Sequence, residues 1–101
     1  MKVLAREKPV SGVVESQFTR ELLLAEAAKA WELYQSSVLR EIYFSEGERE
    51  AFLILECDGA EDARGHLSQL PLVRAGLIDF EVIPLVPYDG FARLFASGPK
   101  K

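Results

Sequence analysis

At 101 residues the chain is one domain's worth of polypeptide, 49% hydrophobic and 28% charged, with a mean hydropathy of +0.03 that puts it on the apolar side for its size. A net charge of −4 with scattered basic residues argues against a general nucleic-acid binder, which needs a basic patch to meet phosphates. No apolar run approaches the ~18 residues of a membrane span, and the single Cys57 excludes an internal disulfide. The start, Met1-Lys-Val-Leu-Ala followed at once by Arg6-Glu7-Lys8-Pro9, is unlike a secretory signal. Cytoplasmic is therefore the expected location.

Val3 and Leu4 begin a short first strand, and Glu7 to Ser16, with Pro9 and Gly12, reads as a loop. From Phe18 to Gln35 no Gly or Pro interrupts a helical composition. Leu23, Leu24, Ala27, Ala30, Trp31 and Tyr34 share one broad face at spacings of 3, 4 and 7 and are expected in the core, with Glu21, Lys29 and Glu32 opposite. Ser16 or Thr19 is available as the N-cap.

Val38 to Phe44 is rich in β-branched and aromatic residues and predicts a strand. Ser45-Glu-Gly-Glu-Arg49 is a turn that uses Gly47 for positive φ. Ala51-Phe-Leu-Ile-Leu55 lacks alternation, the pattern of a strand covered on both faces. Asp58-Gly-Ala-Glu61 has capping-box spacing and opens a helix to about Leu70, seamed by Ala63, Leu67 and Leu70 and ended by Pro71. In the last strand Ile78, Phe80 and Val82 alternate with Asp79 and Glu81. The apolar side then shifts, predicting a bend at Pro84 and an exit at Pro87. Phe91, Leu94 and Phe95 still need a docking surface beyond it.

Strand, helix, strand, strand, helix, strand is the order of an α+β ferredoxin-like fold, βαββαβ, with two helices on one face of a four-stranded antiparallel sheet. Nothing is left to cover the second face, so pairing of two sheets in a homodimer is expected, a dimeric α+β barrel. The domain spans 1–96, with a flexible tail over 97–101.

Three stretches, Glu26-Ala-Ala-Lys-Ala-Trp-Glu-Leu-Tyr34, Val38-Leu-Arg-Glu-Ile-Tyr43, and Gln69-Leu-Pro-Leu72 through Asp79-Phe-Glu-Val82, resemble the muconolactone isomerase-like proteins of the dimeric α+β barrel superfamily. The resemblance runs from about Leu22 to Val86. It implies the fold and the dimer, and a cofactor-free transfer of a proton between carbons of a small lactone acid. It makes Glu26 the match for a proton-carrying glutamate and Arg40 the match for an arginine of the following strand. Leu39, Glu41 and Phe44 stand where the isomerases carry more aromatic and basic residues. Non-catalytic ligand-binding or assembly modules of the same fold are the competing class.

The residues themselves allow two readings at each position. Glu26 has apolar neighbours at Leu22, Leu23, Ala30 and Leu33, so it is either a half-buried carboxylate fit for proton transfer or a surface partner of Lys29. Arg40 either forks onto a substrate carboxylate or bridges to Glu56 or Glu81. Tyr43 either donates to a ligand or snorkels at the sheet edge. His66 reads as a surface partner of Asp62, Cys57 as a buried thiol, and Trp31 with Tyr34 as core. No zinc spacing, phosphate loop or Ser/His/Asp set is present, so no metal or cofactor is expected, and the partners are a second copy and a small organic acid.

Overall fold

The computed structural model describes residues 1–95. The end of the expected domain at 96 and the tail over 97–101 lie outside the described residues. Four strands form one antiparallel sheet: β1 (Lys2–Pro9), β2 (Leu39–Phe44), β3 (Ala51–Glu56) and β4 (Ile78–Pro84), in the order β2-β3-β1-β4. Helix α1 (Arg20–Gln35) connects β1 to β2, and α2 (Ala60–Leu67) with the short α3 (Pro71–Arg74) connects β3 to β4. This is the ferredoxin-like arrangement, with both crossovers on one face of the sheet.

β1 is longer than its sequence suggests. Its second half pairs with β4 from Arg6↔Glu81 to Pro9↔Ile78, so the first three residues of the expected loop, Glu7 to Pro9, are strand. Pro9, which has no N–H, closes it. Alternation sorts the two faces. Val3 and Ala5 of β1 are fully buried, as are Leu53 and Leu55 of β3, and they meet Leu33, Leu39, Ala63, Leu67 and Leu70 in one core. A smaller cluster of Leu72, Leu77 and Ile78 seats Val13, Phe18 and Leu22.

The helix boundaries follow local chemistry. Thr19 caps α1, its hydroxyl accepting from the Leu22 amide. Ser37 at φ 69° ends the helix, with Val38 N–H donating to Leu33 O and Ser37 N–H to Tyr34 O, a Schellman closure. Gly76 at φ 75° closes α3 in the same way. The box expected at Asp58 to Glu61 is displaced by one residue. Gly59, at φ 150°, occupies the cap position, and Asp62 rather than Glu61 reaches back to accept from the Asp58 amide at 2.9 Å. Pro71 does not merely end α2. It stands at the first position of α3, where its missing N–H costs nothing.

The core face of α1 is not the expected one. Leu22, Glu26, Ala30 and Leu33 turn inward, while Leu23, Leu24, Trp31 and Tyr34 are about half exposed. Trp31 and Tyr34 stack on each other at 5.6 Å on the surface. Strand β4 ends at Pro84, with one further ladder bond from Leu85 N–H to Lys2 O. Among the described residues no helix is long and apolar enough to cross a membrane.

Burial ranks these positions. Truncating fully buried Leu55 with Leu55→Ala is expected to lower the unfolding free energy by about 2–5 kcal/mol. Leu24→Ala, on the outward side of α1, is expected to change it by less than about 0.5 kcal/mol. Urea unfolding followed by far-ultraviolet circular dichroism checks both.

Candidate functional site

Between α1 and the sheet lies a cavity of about 210 Å³ whose walls are mostly hydrocarbon: Leu23, Ala30, Ile42, Phe44, Leu53 and Leu72 among them. Two carboxylates reach it, Glu26 from α1 and Glu7 from β1. Each is held by a backbone amide that lacks an ordinary partner.

Leu70 occupies the cap position of α3, and its side chain is buried hydrocarbon that accepts nothing. The second amide of α3 is one of the free N–H groups at every helix start. Glu26 supplies the acceptor: Leu72 N–H donates to its Oε1 at 2.9 Å. Glu7 does the same for the sheet. The β1–β3 pairing stops at Arg6↔Phe52, and the next amide on β3, that of Ala51, donates to Glu7 Oε1 at 2.9 Å.

Half-burial of Glu26 pushes its pKa above the usual 4.5 by desolvation, the largest effect. The Leu72 hydrogen bond opposes this, and the neighbouring charge of Glu7 adds to it. The site is therefore a carboxyl group in a largely apolar pocket, holding its proton more tightly than an ordinary carboxyl, with a second carboxylate beside it.

The other candidates stand elsewhere. Arg40 is exposed at the irregular start of β2, where its Nε donates to Ser37 O at 2.8 Å and braces the end of α1. Tyr43 is opposite Phe52 on the sheet face away from the helices, and its hydroxyl donates to Glu41 at 2.7 Å. Neither lines the Glu26 cavity. Of the surface pairs weighed for Glu26, Lys29 instead joins Glu32 at 3.0 Å. Glu56, weighed for Arg40, pairs with the N-terminal amine and Lys2, which hold its carboxyl below the usual range. His66 meets Asp62 at 3.5 Å, and the thiol of Cys57 lies 3.6 Å from Gly59 O. Among the described residues no group of three His, Cys, Asp or Glu side chains is placed to hold a metal ion.

Glu7 is the residue that sequence reasoning missed, because it was assigned to a loop. The signal was available: Val3, Ala5 and Glu7 share one parity of a strand that alternates with Lys2, Leu4, Arg6 and Lys8. A wider groove of about 540 Å³ runs beside β4, between Lys8, Arg64, Asp79 and Glu81. Those four groups are exposed, so it offers no desolvated reactive side chain.

No family model and no curated protein sequence matches the chain. Among solved structures, a muconolactone isomerase shares 21% identity over 88% of this chain and 92% of its own, at a TM-score of 0.68. A 5-chloro-2-hydroxyhydroquinone dehydrochlorinase from Burkholderia phenoliruptrix, in complex with 2,5-dihydroxybenzoquinone, shares 18% over 89% and 98%, also at 0.68. At these identities the likeness establishes the fold.

The raised pKa of Glu26 has a definite sign in stability. Between pH 4.5 and its higher folded value the unfolded chain loses the proton first, so stability falls as pH rises through that window. Gln keeps the oxygen that accepts from Leu72. Glu26→Gln is therefore expected to be more stable than the parent at pH 7, by an amount that shrinks to nothing below pH 4.5. Urea midpoints measured from pH 4 to 8 check the slope.

Proposed function

We propose that this chain is a homodimeric, cofactor-independent isomerase that moves a proton between carbons of a small lactone or aromatic-derived acid, with Glu26 as the proton carrier. The observation that carries the reading is a half-buried carboxyl group in a mostly hydrocarbon-walled cavity, its pKa raised by desolvation. A general base works best when its pKa lies near the working pH. In the reaction, ionised Glu26 takes the proton from a carbon next to a carbonyl, leaving an enolate whose negative charge spreads onto oxygen. The resulting carboxylic acid returns the proton to the conjugated carbon. Electrons and protons balance without metal or redox partner. The two solved structures of the same fold are described as an isomerase and a dehydrochlorinase, and both names fit small-molecule chemistry in such a pocket.

Glu7 limits the substrate. A ligand acid group is repelled from that end of the cavity and is oriented toward the mouth. Arg40 remains a candidate binder of that group, exposed and outside the cavity walls, whereas Tyr43 lies on the opposite face of the sheet and does not face the mouth. The cytoplasm is the proposed compartment, in keeping with an unpaired thiol.

The dimer follows from the uncovered face of the sheet. Leu4, Phe52 and Ile54 are only partly buried there, with Tyr43 and Ile83 exposed beside them. A second copy packing sheet to sheet removes this surface from water. Ile54→Asp is expected to convert the dimer wholly to monomer in sedimentation velocity at micromolar concentration. A parent protein that is already monomeric there ends this part of the reading.

The competing reading, a ligand-binding module, takes Glu26 only as the acceptor for Leu72. Incubating the parent with a panel of lactone and enone acids in deuterium oxide separates the two. The enzyme reading expects exchange at the acidic carbon, seen by proton NMR, that falls by roughly 10²–10⁴ in Glu26→Gln. Exchange that is absent for the whole panel, or unchanged in the variant, sinks it.

A further inference from the structure

We propose that Arg49 receives the acid group of the ligand, as a carboxylate-binding position at the mouth of the Glu26 cavity. This rests on the reading of that cavity as the ligand site, and it names the chemistry expected there: an apolar ring inside and a carboxylate at the open end.

The walls leave an acid group without a partner. Glu7 and Glu26 both reach the cavity, and among the described residues no cation lines it. A buried anion is costly unless it is paired, so the charge of an anionic ligand has to be met at the rim. The volume suits a ring. A dry apolar cavity of about 150 Å³ admits benzene. This one, at about 210 Å³, has room for a short substituent as well.

Phe44 marks the rim, since it lines the cavity and is nonetheless 58% exposed. The guanidinium carbon of Arg49 lies 4.4 Å from the centroid of the Phe44 ring. Arg49 therefore stands beside a wall residue without being part of the wall. An aromatic face attracts a cation, and a guanidinium presents its N–H donors in a fork that matches a carboxylate. Among the described residues no carboxylate pairs with Arg49. Glu50, its neighbour in the chain, approaches Arg6 at 4.0 Å instead.

The backbone supplies a second, independent indication. Arg49 holds φ 56°, in the left-handed region that favours glycine or asparagine. The turn closes on both sides of it. Arg49 N–H donates to Ser45 O at 3.0 Å, and the Glu50 amide donates to the Ser45 hydroxyl at 3.0 Å. An arginine in a conformation that favours glycine is a local cost of the kind that gathers at ligand-binding positions.

Two other arginines compete for the role. Arg40 commits its Nε to Ser37 O, and Arg20 borders a shallow hollow that shares Leu23 and Ala27 with the cavity. Of the three, Arg49 is the one seated on a ring of the cavity wall.

The test reads binding and needs no turnover. Phenylacetate and its uncharged counterpart phenylacetamide are titrated at pH 7 and low salt into nitrogen-15-labelled protein, and affinities are taken from the amide shifts of Leu23 and Ala27. The parent is expected to prefer the acid by about tenfold, the scale of a charge-assisted pair. Arg49→Gln is expected to abolish this preference and leave the affinity for phenylacetamide unchanged, which also shows that the variant is folded. Arg20→Gln and Arg40→Gln are expected to keep the preference. A parent that binds both probes equally, or an acid preference that survives Arg49→Gln, overturns the proposal and leaves the cavity standing as the ligand site. Binding of neither probe overturns both. Absent proton exchange in deuterium oxide, by contrast, bears on Glu26 and not on this result.

Discussion

The hydrogen bond from the Leu72 amide to Glu26 ties the two halves of the molecule together. Its origin is a conflict at Leu70. That residue is needed in the core, where it is 1% exposed, yet it also stands at the cap of α3, where a side-chain oxygen would ordinarily accept from the first free amides. The core requirement prevails, and the acceptor has to come from another element. Glu26 lies on the inward stripe of α1, four residues after Leu22 and seven before Leu33. Placing a carboxylate there satisfies the amide and sets the position of α1 against α3. The same placement strips water from the carboxylate, so the structural solution and the altered acidity share one cause.

The sheet was largely legible from sequence, for a physical reason. Runs such as Leu39–Phe44 and Ala51–Glu56 combine β-branched and aromatic residues, and turn residues separate them. The helix was legible as a helix but not in its rotation. Leu22, Leu23, Leu24, Ala27, Ala28, Ala30, Trp31, Leu33 and Tyr34 make α1 apolar around most of its circumference, so periodicity alone does not choose the buried stripe. Tertiary contact chose it, and took the stripe that contains Glu26. The apolar residues left outside are about half exposed. For Glu7 the difficulty was different. Pro9 and Gly12 drew the loop boundary too early, although Pro9 is tolerated as the last residue of β1.

One-sided cover explains much of the composition. Helices reach only the face bearing Val3, Ala5, Leu53 and Leu55. The alternate residues, Leu4, Phe52 and Ile54, are apolar as well, so β3 shows none of the hydrophobic–polar alternation of a strand with one wet face. Charges frame this area: Arg6 lies over the Phe52 ring at 5.9 Å and approaches Glu50 at 4.0 Å, and Lys2 pairs with Glu56. An apolar centre inside a charged border is the usual anatomy of a surface that meets another protein.

A carboxyl group that caps a neighbouring helix and one that carries a proton are often treated as alternatives. Here the capping bond and the acidity of the carboxyl constrain each other. The Leu72 amide favours the ionised form of Glu26, while desolvation, the largest effect, and the nearby charge of Glu7 favour the protonated form. Remove the amide, and the carboxyl holds its proton more tightly still. Remove the apolar walls, and it becomes an ordinary surface carboxylate with little affinity for a carbon-bound proton. Leu72 engages Oε1 of Glu26, a residue that also lines the cavity. A single carboxyl group thereby serves both as the acceptor for a neighbouring helix and as part of the cavity wall.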